Sequence, residues 1–291
     1  MDIAMCLEDS NERCVSLEMR LQTQNMGPSN SKEGMHDKYS QIIRYLLLKS
    51  LEESSYGDSP PLDDLEGIEI FGIHFVINML ALRLFNKEFE NILERRYQKD
   101  PYCETEDVQF FLSRCVLLCP VPTYFNFVLV VAFLTKVVIV DVDDLDCFDI
   151  MYMSEFCLDV LYRRIFWKIF QSEEDFEKLN IFCDEFRKKF ALTFSTIIEL
   201  RSTPLCENWI NLIQNCLNAP DVGFPLEESE ITMFRNASWE RNNLEYNQRM
   251  AWNIEKTFFS GVRKRQMQSS CQLCGTKCHN YLTYLNSFIS I

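Results

Sequence analysis

The first place in this chain where side chains are spaced for chemistry is an apolar run that ends in paired carboxylates, Val137-Val138-Ile139-Val140-Asp141-Val142-Asp143-Asp144. At the end of a strand, Asp-x-Asp can present Asp141 as a nucleophile and Asp143 as a general acid. With Mg²⁺ shared between the carboxylates, that is the layout of a phosphoryl-transfer site. Such a site sits in a sheet of alternating strands and helices, and no such alternation is visible in this chain. No Gly-Asp-Asp-type metal motif follows it either. The plainer reading is a helix end that runs into an acidic loop.

A second cluster, Cys271-Gln-Leu-Cys274-Gly-Thr-Lys-Cys278-His279, has the shape of a zinc knuckle, because the amides of a Cys-x-x-Cys-Gly turn can point at thiolate sulfurs. A closed site needs a second knuckle, and adjacent Cys278 and His279 rarely both ligate one ion. The alternative is a cysteine-rich tail without metal, so no cofactor is assigned. The three histidines, His36, His74 and His279, are too few and too scattered for a His-based triad.

The third candidate pairs Lys136, the lone cation of an otherwise apolar helix, with Asp159 on the helix after it. A buried cation needs a partner or solvent. A Lys and an acid that both stand off their core stripes can protrude at one rim of a bundle and grip backbone groups of another protein. The alternative is a snorkelling Lys136 and an Asp159–Arg163 pair along one helix.

The elements that must position these residues read as helices. Residues 1–64 form an acidic arm, polar and expected to be disordered up to about residue 38, with one short helix over Tyr39–Leu51 and an acidic Ser/Gly/Pro loop over Glu52–Glu66. Residues 65–200 form the main domain. Ile68–Tyr97 gives one or two helices with Ile73, Val76, Ile77, Leu80 and Leu84 at three- and four-residue steps. A helix with the stripe Val108, Phe111, Cys115, Leu118 leads into the tight turn Cys119-Pro120-Val121-Pro122, and a central apolar helix follows. After an acidic break, Ser154 opens a helix striped by Cys157, Leu161, Ile165 and Ile169. Ser172 followed by Glu173, Glu174 and Asp175 caps another, with Phe176, Leu179, Phe182, Phe186 and Phe190 on its apolar side. Residues 201–291 read as a looser C-terminal extension with a Cys-rich tail. The fold class is therefore all-α.

Composition narrows the function. Twenty-three Phe against 8 Gly favours helices packed on aromatic side chains over glycine-rich nucleotide loops. A net charge of −14 opposes nonspecific nucleic-acid binding and favours a basic partner surface, with Arg263-Lys264-Arg265 read as a solvated helix end. Phe125–Val140 falls short of the roughly 20 residues of a membrane span, carries Lys136 and runs into acids, so it is not read as transmembrane. No signal peptide opens the chain, and several of its 13 cysteines, including Cys115, Cys119, Cys147, Cys157 and Cys183, fall inside apolar patterns as buried thiols. The expectation is a cytoplasmic protein, with the nucleus or the membrane periphery as alternatives.

Two family resemblances carry these readings further. The Asp141-x-Asp143 run resembles haloacid-dehalogenase-type phosphotransferases on that motif alone. The helices taken in order resemble a cyclin box. Phe111-Leu112-Ser113-Arg114 looks like the family's second-helix Tyr-Leu-acid-Arg, and Ala132-Phe133-Leu134-Thr135-Lys136 looks like the third-helix Leu-Leu-Ala-Ser-Lys. LDVLYRRIFWKIF followed by Ser172-Glu173-Glu174-Asp175-Phe176 echoes the fifth-helix pattern. The single-box cyclins of the cyclin Y type are the most similar group, with GFPLEESE and the Arg-Lys-Arg segment like that group's tail. The chain departs from the pattern in Thr135, in Asp159 where Glu is expected, and in lacking a second box. The resemblance covers roughly 110–130 residues on short motifs. It implies a non-catalytic cell-cycle regulator that binds and activates a cyclin-dependent kinase by packing on its mobile C helix. Lys136 and Asp159 would contact the kinase, with Phe133 and Val137 as apolar surface beside them. A helical adaptor or scaffold without a kinase partner is the other binding reading.

Overall fold

Pro122 and Thr123 set the start of the helix around which this protein is built. Proline cannot continue a helix backwards, and Thr123 Oγ1 accepts the Asn126 N–H at 3.1 Å, which caps the first turn. The computed structural model describes residues 30–53, 70–97, 104–145, 149–190, 194–220 and 223–241. Among them every regular element is a helix: α1 Asn30–Ser50, α2 Phe71–Asn78, α3 Asn86–Tyr97, α4 Glu104–Leu118, α5 Tyr124–Leu145, α6 Asp149–Arg164, α7 Glu173–Lys189, α8 Phe194–Arg201, α9 Pro204–Asn218 and α10 Glu228–Arg241. The protein is an all-α bundle.

The central helix is α5. It is apolar on all sides because α1, α2, α3, α4 and α6 all pack against it, and Phe127 through Val138 are buried without interruption. By length and composition Tyr124–Asp143 would suffice to cross a membrane; here it is wrapped by protein. The expected acidic break begins too early, since Asp141 and Asp143 still belong to α5. Likewise α6 opens at Asp149, and Ser154 lies buried within it.

Two expected boundaries fail for the same reason, burial of an amphipathic face. The helix read as part of an arm starts at Asn30 instead of Tyr39 and packs into the core through Tyr39, Ile42, Ile43, Leu46 and Leu47. It runs antiparallel to α6 and is fixed there by polar contacts. Tyr39 Oη donates to the Leu158 carbonyl at 3.1 Å, and Arg44 Nε donates to Glu155 Oε1 at 2.6 Å. On the other side, α9 of the supposed extension inserts Cys206, Trp209, Ile213 and Cys216 into the core beside α4. Trp209 stacks on Phe125 with ring centroids 4.2 Å apart. Pro204, read as an interruption, is the first residue of α9, whose Thr203 cap accepts the Cys206 N–H at 3.3 Å.

Other expectations hold. The described part of Ile68–Tyr97, residues 70–97, contains two helices, joined by a wider π-helical turn over Met79–Leu84 that ends where the Phe85 N–H reaches back to the Leu80 carbonyl at 2.9 Å. At the start of α7 the Asp175 carboxylate accepts both the Ser172 backbone N–H at 2.9 Å and its hydroxyl at 3.0 Å.

Candidate functional site

Lys136 comes from the buried flank of α5 and is almost wholly covered, with 6% of its surface exposed. Its Nζ donates to Glu90 Oε1 on α3 at 2.7 Å. Five residues further along α5, Asp141 meets Arg96, six residues beyond Glu90 on α3. The two helices therefore run parallel. They carry opposite charge orders, acid then base on α3 and base then acid on α5, so a slip of register would set like charges together. Arg96 Nη1 donates to both Asp141 oxygens at 2.8 and 2.6 Å, its Nη2 donates to Asp107 of α4 at 2.8 Å, and the guanidinium lies over the Phe111 ring. Burial works against its charge, but the two carboxylates outweigh it and hold its pKa above the ordinary value.

The residues read as a partner contact are not gathered at one rim. Lys136 faces α3, whereas Asp159 faces α1, where His36 Nε2 lies 2.5 Å from its Oδ1 and Arg163 Nε is 3.0 Å from its Oδ2. Phe133 and Val137 are fully buried, with Phe133 edge-on to Phe89, so neither supplies apolar surface in this conformation. Asp141 fares no better as a nucleophile. It sits on a helix rather than at a strand end, is buried, and is held by Arg96, while Asp143 is exposed. Among the described residues no cluster of His, Cys, Asp and Glu could hold a metal; Cys271, Cys274, Cys278 and His279 lie outside them, as do Arg263, Lys264 and Arg265.

The sequence reading missed a site on α6, whose residues Tyr152, Phe156 and Arg164, at multiples of four, fall on one stripe that receives α10. Phe234 of α10 stacks on Tyr152 at 5.3 Å and packs against Phe156 at 4.9 Å, and Tyr152 Oη donates to the Phe234 carbonyl at 3.1 Å. Arg164 holds the opposite end. Its Nε donates to Glu230 Oε1 at 2.8 Å and its Nη2 to Glu230 Oε2; the same Nη2 reaches the Pro225 carbonyl at 3.2 Å, and the guanidinium covers the Phe224 ring at 4.6 Å. Glu230 also accepts the Glu227 N–H at 2.8 Å, which caps α10.

Over residues 228–236 only Glu230 and Phe234 are buried. Burial of one Phe contributes about 2–3 kcal/mol, and a charge-assisted hydrogen bond adds about 1.5–3 kcal/mol. The available sequence signal was Glu230-x-x-x-Phe234, one acid and one aromatic on the same helical face. The likeness of GFPLEESE to a family tail says nothing about that helical face.

No family model, curated protein or solved structure matches this chain. Its function has to be argued from its own geometry.

Proposed function

We propose that this protein acts by binding, as a non-catalytic helical module that accepts a helix of another protein. The observation that carries this reading is the Tyr152–Phe156–Arg164 face of α6, which already takes up one helix through just two buried side chains, an acid and a Phe. Helix-in-groove recognition uses such anchors at i and i+4. Lys136, Asp141 and Asp159 each make a contact between helices, which is consistent with a role in packing.

The cyclin resemblance suggests a narrower form, a regulatory subunit of a cyclin-dependent kinase. What favours it is the central apolar helix wrapped by its neighbours, together with the helical nature of the kinase element that would be bound. Its mechanism would be a population shift of the kinase toward its active placement. Lys136 and Asp159 would then act indirectly, by holding α5 to α3 and α6 to α1.

Co-purification of the tagged full chain with a panel of cyclin-dependent kinases, followed by kinase assays on the eluate, tests this. A stoichiometric kinase with raised activity supports the narrow form, and no kinase bound to folded protein rejects it. Magnesium-dependent phosphate-ester hydrolysis that disappears in Asp141→Asn would overturn the non-catalytic reading.

A further inference from the structure

We infer that residues 223–241 are an internal ligand, a strap that occupies the α6 face until a partner helix with an acid at one position and a Phe four residues later displaces it. The inference rests on the proposed helix-accepting function and names the chemistry of the partner.

The strap is anchored at two points whose chemistry differs. Arg164 grips Glu230, the Pro225 carbonyl and the Phe224 ring; eight and twelve residues back along α6, Phe156 and Tyr152 hold Phe234. Between those points nothing else over 228–236 is buried: Ile231 and Met233 are half-covered, and Glu228, Ser229, Thr232, Arg235 and Asn236 are exposed. A competing helix therefore has two side chains to match, and both are specified. Arg164 requires a carboxylate because its guanidinium offers a fork of donors, and the Tyr152–Phe156 pair requires a flat ring that can stack on one and meet the other at an angle. The tyrosine hydroxyl donates to a backbone carbonyl, so it accepts any sequence that brings the ring into place.

The shortness of α10 makes the occupied state exchangeable. An isolated helix as short as α10 is marginal in water, so its order depends on the docking. The carboxylate of a partner helix competes with Glu230 for Arg164. A tether in cis keeps the strap at millimolar effective concentration, so only a helix that presents both anchors displaces it.

The test uses the full chain and a fluorescent peptide of residues 223–241. Phe234→Ala loosens the strap without touching the face of α6. The peptide should bind this variant at least tenfold more tightly than it binds wild type, and the gain should vanish in Phe234→Ala/Arg164→Ala or when the peptide carries Glu230→Gln. Equal binding by wild type and a folded Phe234→Ala variant would overturn the strap. Should the variant not fold, hydrogen exchange on the wild type decides. Amides over 231–236 should exchange at least a hundredfold faster than those over 128–138, and protection equal to α5 would overturn the proposal. A kinase captured in the co-purification together with no gain in peptide binding would leave the binding function standing and remove the strap alone.

Discussion

Lys136 Nζ meets Glu90 Oε1 at 2.7 Å across two parallel helices, with the lysine 8% and the glutamate 44% exposed at the side chain. One partner is buried and the other keeps contact with water, so the pair is stabilised mainly by what would follow if the buried cation lost its acid. Lys136→Glu should cost about 3 kcal/mol, since it leaves two carboxylates facing each other at a nearly dry position. Adding Glu90→Lys should recover at least half of that in urea unfolding. An unchanged midpoint for Lys136→Glu would remove the register argument.

Arg96 joins three helices through Asp107 and Asp141 with both acids within 2.8 Å. Arg96→Met leaves Asp141 buried without its cation and should destabilise the protein by about 3–5 kcal/mol. Arg96→Met combined with Asp107→Asn and Asp141→Asn should be milder than the single change, because no uncompensated charge then remains inside. Thermal melts of the single and triple variants decide. A triple variant less stable than Arg96→Met would mean that the network contributes net stability beyond compensating its own burial.

Gly72 lies where α2 meets α7 so closely that a Cβ would stand 2.7 Å from Asp184 Oδ1. That carboxylate is oriented by Arg187 at 3.2 Å, and the Arg187 guanidinium covers the Phe71 ring at 5.3 Å. Alanine is the better helix former by about 1 kcal/mol, and Gly72→Ala should come out close to neutral because the crowded carboxylate, the end of a partly exposed side chain, must swing away and offsets that gain. In Gly72→Ala/Asp184→Ala the propensity gain should reappear. The sign of the coupling in this double-mutant cycle is the test.

How much of this was legible follows from what each feature depends on. The helices α4, α5 and α7 could be read directly, because their apolar stripes and their Pro or Ser-x-x-Asp boundaries are local signals. The joining of α1 and α9 to the bundle was not, since an amphipathic helix states that it has a buried face without naming what covers it. The role of Lys136 was half visible. Its isolation on an apolar helix demanded a partner, but Glu90 lies 46 residues earlier and no spacing rule connects them. Phe133 and Val137 were misplaced for the same reason, as exposure on α5 depends on which helices surround it. The α6 face was missed because its stripe mixes two aromatics with Arg164, and a cation at a stripe position looks like its solvent edge.

The buried thiols give the protein a defined response to alkali. Burial pushes Cys119 up to about 12 and Cys206 and Cys216 up to about 11, and it raises Cys115, Cys157 and Cys183 as well. A folded-state pKa above the unfolded value means the fold favours the protonated thiol. That contribution is complete below the unfolded pKa of about 8.5 and is lost as pH rises through the folded values. The urea midpoint should therefore fall steadily from pH 8.5 to pH 10.5, and these six cysteines should resist a thiol reagent at pH 8 until the protein is unfolded. Full native reactivity of all 13 cysteines at the rate of free thiol would contradict the burial.

Arg114 offers the sharpest contrast between a motif and its physical role. The resemblance marked it as a family position; in the fold it is fully buried on α4 and closes the C-terminus of α9. Nη1 donates to the Cys216 carbonyl at 2.7 Å and the Ala219 carbonyl at 3.3 Å, Nη2 donates to the Pro220 carbonyl at 3.3 Å, and the guanidinium lies over the Phe110 ring. The last carbonyls of a helix have no partner within it and carry the negative end of its dipole, so a cation placed there stabilises both. Lysine cannot reproduce the planar fork that reaches several carbonyls at once. Arg114→Lys should cost about 1 kcal/mol and Arg114→Met about 2–3 kcal/mol, because the latter leaves the buried Cys216 carbonyl unsatisfied. The loss should also be local first: amides over 214–219 should exchange faster in Arg114→Lys while those over 128–138 keep their protection. Uniform loss of protection through the bundle would assign Arg114 to the global core and not to the end of α9.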